Sequence, residues 1–144
     1  MGDISKNFSF SEFEKSATAE ANGIDNSIPE GGTVKKAIKA LVDNVLQPLR
    51  DALEATVIID SGYRCKELNE LVGGVETSQH RKGEASDTRS PFFSPLEVAR
   101  KAVELKLPYD QLILYPTFVH FSHKLKGKQR GQILYNRRYT GEKI

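Results

Sequence analysis

Val34, Ala37, Ile38, Leu41, Val42, Val45, Leu46 and Leu49 recur at the three-and-four spacing of one apolar helical face. A helix with one oily side is stable only when that side is covered, so this run must serve as a core support. Thr33 stands at its N-cap position. Pro48, late in the run, lacks an N–H and is expected to kink the helix or start a new turn. The period then changes: Thr56-Val57-Ile58-Ile59 is β-branched and apolar and reads as a strand over 55–60. Helices gather early and strands late, which predicts an α+β fold, N-terminal helices packed on a small, mostly antiparallel sheet. A chain of 144 residues suits one domain around one core. The expected division is an N-terminal arm over 1–32, a core over 33–136 and a tail over 137–144.

The arm reads as irregular, with Phe10 and Phe13 pinning it to the core and Ser11 capping a short helix. Cys65 to Val72 reads as a short helix stopped by Gly73-Gly74, Glu76 to Lys82 as a polar loop, and Glu84 to Thr88 as a second strand. Ser94-Pro95-Leu96-Glu97 combines an N-cap, a proline at the first helical position and a capping-box glutamate, so a helix should run from there to about Lys106. Tyr109–Tyr115, Phe118–Lys124 and Gly131–Asn136 read as three successive strands. Turns at Tyr115-Pro116-Thr117 and Lys126-Gly127-Lys128 make them a closing antiparallel meander.

Composition narrows the function classes. Hydrophobic residues make up 38% and charged residues 28%, an ordinary globular balance. No apolar run approaches the ~20 residues needed to span a bilayer, so no membrane partner is expected. Met1-Gly2-Asp3-Ile4-Ser5-Lys6 has no apolar stretch after its charges, which points to cytoplasmic synthesis without a signal peptide. The formal charge of +2 is too small to argue for nucleic acid. The basic stretch from Lys124 to Lys143 reads as a solvated surface, or as a weak attractor of polyanions. A single cysteine, Cys65, excludes a disulfide scaffold and reads as a small packing residue.

The chemistry-bearing residues fall in three separated segments: Ser61-Gly62-Tyr63-Arg64, Ser78-Gln79-His80 through Gly83-Glu84-Ala85 to Asp87, and Val119-His120-Phe121-Ser122. Two histidines and one aspartate are a ligand set for a catalytic zinc with an open fourth position. Such a zinc activates water near neutral pH and polarises a carbonyl. His80 and Asp87 are too far apart for one helix face, but they suit a loop that turns at Gly83 into a strand. On a strand through His120, Val119 and Phe121 point to the core while His120 and Ser122 face the other way. A histidine there needs a partner, which can be a metal or a carboxylate. His123 would face away from His120 and reads as exposed.

These segments resemble the zinc D-alanyl-D-alanine carboxypeptidase family. That group also holds D,D-dipeptidases and phage L-alanyl-D-glutamate endopeptidases, and it shares a hedgehog-like fold. The resemblance spans about residues 8 to 136. It implies one zinc ion on His80, Asp87 and His120, with Arg64 holding a substrate carboxylate or carbonyl oxygen. It also implies that Ser78 lines the site and bonds substrate or ligand. Peptidoglycan stem peptides would be the partners, cut at a D-alanyl or L-alanyl-D-glutamyl bond, by a monomer released to the cell wall by a phage-type route. The chain departs from the family at the general base. Thr117 stands where many members carry an acid, three positions before the last histidine, and Tyr115 where others carry a histidine. Glu84, Asp110 and His123 are the candidate substitutes, with Glu84 taken as the catalytic residue. The alternatives are a zinc-containing cell-wall-peptide binding module with weak or no catalysis, and a metal-free structural protein.

Overall fold

The computed structural model describes residues 2–144; the expected start at Met1 lies outside them. The apolar run forms one long helical rod in three parts: α3 (Val34–Leu41), a π-helical turn (Val42–Leu46) and α4 (Gln47–Leu53). The π turn answers to Pro48. A proline ring collides with the carbonyl four residues back, and a wider turn before it removes the conflict without breaking the rod. The buried face carries Ile38, Leu41, Val42, Val45, Leu46 and Leu49, all fully buried.

This rod and α6 (Pro95–Glu104) lie against one face of a five-stranded sheet. Its strands are β1 (Ile58–Ser61), β2 (Ala85–Arg89), β3 (Gln111–Leu114), β4 (Val119–Ser122) and β5 (Gln132–Tyr135), in the order β1-β2-β4-β3-β5. Ser94 and Glu97 form the expected capping box of α6. Register fixes the two faces. Thr88, Val119 and Leu114 stand level with one another, as do Ser86, Phe121 and Leu112, and all six are fully buried. Between these rows lies a third, Asp87, His120 and Ile113, whose side chains point to the other face.

Two expectations are corrected. The closing strands are not an antiparallel meander: β5 pairs parallel with β3. Both edges of β4 are already taken by β2 and β3, which leaves the outer edges of β1 and β3, and β5 takes that of β3. Because β4 ends beside the start of β3, where Asp110 N donates to Ser122 O at 2.7 Å, the chain crosses over and runs alongside β3 in the same direction. The arm is also not irregular. It holds α1 (Phe10–Glu14), capped by Ser9 rather than Ser11, and α2 (Ala17–Ala21), capped by Ser16. Phe8 and Phe13 are its fully buried anchors, with Phe10 partly buried at the rim. Among the described residues no helix is long and apolar enough to cross a membrane.

Candidate metal centre

His80 sits on a short 3-10 turn (Gln79–Lys82), Asp87 at the middle of β2, and His120 directly opposite Asp87 on β4. The fold brings the three together: one ligand atom from each lies within 4.8 Å of the others. Gly83 makes this possible. Its backbone is left-handed, at φ 75°, and a Cβ there would lie 2.8 Å from the Val34 carbonyl oxygen of the rod.

The hydrogen bonding sets which atoms converge. His80 Nδ1 donates to the Gly62 carbonyl oxygen at 2.7 Å. A carbonyl can only accept, so the neutral ring carries its lone pair on Nε2. That nitrogen faces Asp87 Oδ1 at 3.4 Å, and His120 Nδ1 faces the same oxygen at 3.0 Å. The His80 lone pair and a carboxylate oxygen thus meet the His120 ring at one point, an arrangement a cation can occupy once His120 Nδ1 is free of its proton. Ligands about 2.0–2.1 Å from a tetrahedral zinc lie roughly 3.3–3.4 Å apart. The donor set and its spacing therefore fit zinc. Burial pushes the Asp87 carboxyl up, but hydrogen bonds and charge from His120 and His80 outweigh it and hold the group well below the usual carboxylate range.

Asp87 divides its oxygens: Oδ1 faces the histidines, and Oδ2 lies 3.8 Å from Arg64 Nη2. Arg64 is held in turn. Its backbone N donates to His80 O at 3.0 Å, and Nη1 donates to Asn69 Oδ1 at 3.4 Å. Asn69 is buried on α5 (Lys66–Leu71) and anchored by Nδ2 to Val75 O at 2.9 Å. A Cβ at Gly74 would overlap Asn69 Oδ1, which is why this turn carries a second glycine after Gly73. The arm supports the same segment: Tyr63 N donates to Phe13 O at 2.7 Å, and Asn26 bonds Tyr63 O and Cys65 N. Desolvation lowers the Arg64 guanidinium's pKa, with Asp87 and then Tyr115 pulling the other way. Its reference value is so high that it stays charged.

The other candidate residues lie elsewhere. Ser78 Oγ accepts from His80 N at 3.2 Å and caps the 3-10 turn. The Glu84 carboxylate is not brought to the three ligands; it accepts from Leu125 N at 3.1 Å and Gln79 Nε2 at 3.4 Å. Strand alternation accounts for this, since Glu84 and Asp87 differ by an odd number of residues. Asp110 is fully buried and paired with Arg130. His123 is half-buried rather than exposed, because its backbone N is tied to Glu84 O at 2.8 Å beside the sheet; burial lowers its pKa. Thr117 is exposed in the β3–β4 hairpin turn. Tyr115, before that turn, is within electrostatic reach of the centre. Burial raises its phenol pKa, Asp87 raises it further, and Arg64 opposes them.

The family model for peptidase M15 matches residues 6–123, from the arm through β4. The chain belongs to the peptidase M15 family. That places it among zinc-dependent metallopeptidases acting on peptidoglycan peptides. No curated protein matches the chain. The M15 match ends before β5, so residues 124–144 lie beyond it. Within the M15 chain, sequence reasoning missed Asn69 and the Gly62 carbonyl. Asn69 gives a faint signal as an amide next to Leu68 on the buried side of a short helix. The carbonyl gives none.

Proposed function

We propose that His80, Asp87 and His120 hold one zinc ion and that the protein hydrolyses a D-alanyl or L-alanyl-D-glutamyl bond of peptidoglycan stem peptides. The observation that carries the reading is the convergence of His80 Nε2 and His120 Nδ1 on Asp87 Oδ1, with Arg64 on the other carboxylate oxygen. Zinc bound there supplies Lewis-acid polarisation of a carbonyl and activation of water near neutral pH.

The chain's own groups do the rest. Gly62 O fixes the His80 tautomer, which is the usual task of a partner behind a ligating histidine. Arg64, steadied by Asn69, orients a substrate oxygen and stabilises negative charge as it develops. The raised phenol pKa keeps Tyr115 Oη protonated, so it is available as a hydrogen-bond donor to substrate and not as a base. Asp87 Oδ2 stays paired with Arg64 and remains ionised.

Metal content of wild type and His120→Ala, measured with muropeptide hydrolysis, tests the reading. One zinc per chain, lost in the variant, with hydrolysis abolished by dipicolinate and restored by zinc, is the expected result. Hydrolysis indifferent to chelators would overturn it. The exposed Thr117 and a Glu84 carboxylate held away from the three ligands by Leu125 N and Gln79 Nε2 favour a second reading, a zinc-containing muropeptide-binding module. It predicts stoichiometric zinc and saturable peptide binding without turnover.

A further inference from the structure

The segment beyond the family match supplies one wall of a groove beside the candidate metal centre, and the β3–β4 hairpin supplies the other. It has a volume of about 600 Å³ and is lined by Tyr115, Thr117, Phe118, Asn136, Arg137 and Arg138, with Pro116 at its tip. Phe118 lies two residues before His120 and shares its face of the sheet. Tyr115 lies two after Ile113, the residue opposite His120. The two rings stack at 4.3 Å and 17°. The hydrogen bond from Tyr115 N to Phe118 O, 3.0 Å, closes the hairpin under them. On the other wall, Leu134 stands opposite Ile113, so Asn136 reaches the same face one step along. Asn136 N donates to Leu114 O, while its side chain and carbonyl accept from Arg138 N and Tyr139 N. That tight turn sets Arg137 and Arg138 on the rim.

The groove's charge is one-sided. Arg89, Arg100 and Arg130 are paired with Asp60, Glu142 and Asp110, whereas Arg137 and Arg138 make no ion pair among the described residues. The groove lining contains no carboxylate. Two arginines over a stacked aromatic platform suit a flexible acidic chain: guanidinium groups fork onto carboxylates, and the ring faces accept the alkyl portions. Tyr115 is a wall of this groove and also feels the charges of Asp87 and Arg64, so the two regions adjoin.

We propose that this groove is a subsite for a carboxylate-bearing peptide, holding an acidic part of the substrate away from the bond that is cut. The proposal rests on the peptidase reading for its substrate class but not for its binding test. Two stem-peptide carboxylates share the required chemistry, that of the D-glutamyl residue and that of a diamino acid at the third position.

The test uses three stem peptides with the scissile amide replaced by a non-cleavable reduced bond: the free acid, the form amidated at glutamate and the form amidated at the diamino acid. Binding to wild type, R137Q/R138Q and R137K/R138K is measured by calorimetry at low and high salt. Exposed pairs contribute up to ~1 kcal/mol each, so the double glutamine variant should bind the free acid about tenfold more weakly. One amidated peptide should lose the same factor on wild type and be blind to the variant; which one it is names the carboxylate. The lysine variant should recover part of the affinity, and melting temperature and zinc content should not change. Equal binding of all three peptides by wild type and R137Q/R138Q would overturn the proposal, whatever the activity. Charge-dependent binding of these peptides, with no hydrolysis of the matching cleavable muropeptides by the zinc-loaded protein, would support the groove while refuting the peptidase reading.

Discussion

Replacing Arg130 should cost more stability than replacing its partner Asp110. Asp110 lies where β3 begins, β4 ends and β5 starts: its N donates to Ser122 O and its O accepts from Gln132 N. Its carboxylate accepts from Arg130 N at 2.8 Å and Nη2 at 2.7 Å, and from Gln79 Nε2 at 3.2 Å, with Lys124 Nζ at 3.8 Å. The side chains are 0% and 43% exposed for Asp110 and Arg130. Without Asp110, the guanidinium returns to water. Without Arg130, the carboxylate cannot. Arg130 is exposed to water and Lys124 and Gln79 remain beside the carboxylate, so R130A should cost less than the about 3–5 kcal/mol of breaking a fully buried pair but more than D110N. D110N keeps an acceptor and releases a cation that resolvates, so about 1–2 kcal/mol is expected. Burial pushes the Asp110 carboxyl up, but the Arg130 hydrogen bonds and charge outweigh it and hold the group at about 2. A depressed carboxyl contributes stability above its unfolded value, ~3.9, and loses it as pH falls toward the folded value. The D110N penalty should therefore shrink between about pH 5 and pH 2. In R130A the unpaired carboxyl escapes by taking a proton, so that penalty should shrink from a higher pH. Urea unfolding of both variants at pH 7 and pH 3 gives the comparison. An R130A cost no larger than that of D110N at pH 7, or penalties unchanged at pH 3, would refute the argument.

Gly62→Ala places a Cβ 2.8 Å from Phe13 Cα and 2.9 Å from Phe13 O, so it should destabilise by about 1–3 kcal/mol in thermal unfolding and weaken zinc binding through the shifted carbonyl. A variant with wild-type melting temperature and zinc affinity would show that this contact yields freely. Zinc at a hundredfold excess over its dissociation constant should stabilise the fold by about 2.7 kcal/mol, seen as a melting shift of several degrees that chelation reverses. His120→Ala should abolish that zinc-dependent shift, and a shift that survives would move the metal elsewhere. Tyr115→Phe should keep stoichiometric zinc and lower kcat by about 10²-fold, the scale of a lost oxyanion donor. An unchanged kcat would remove Tyr115 from the chemistry.

The rod was legible because eight apolar residues kept one period, and Pro48 announced the place where its geometry had to yield. The turn at Gly83 and the alternation around His120 were legible too, since both follow from local backbone rules. The parallel placement of β5 was not. Strand order depends on which sheet edge remains free, and residues 132–135 say nothing of that. Of the arm helices, α1 was expected but with its cap at Ser11 instead of Ser9, and α2 escaped because five residues hold too little periodicity and only the cap at Ser16 betrays it. At the centre, the side chains spaced for a metal could be read off, but Gly62's carbonyl and the Asn69–Arg64 contact exist only once separate segments have met.

Phe13 and Asn26 grip the backbone on either side of Arg64, next to the carbonyl that fixes His80. What looks in the sequence like a dispensable leader is therefore part of the cleft's frame. A truncation chosen to trim the protein back to residue 33 would be an active-site mutation in disguise. It would leave every chemical group of the centre in place and remove what holds two of them in register.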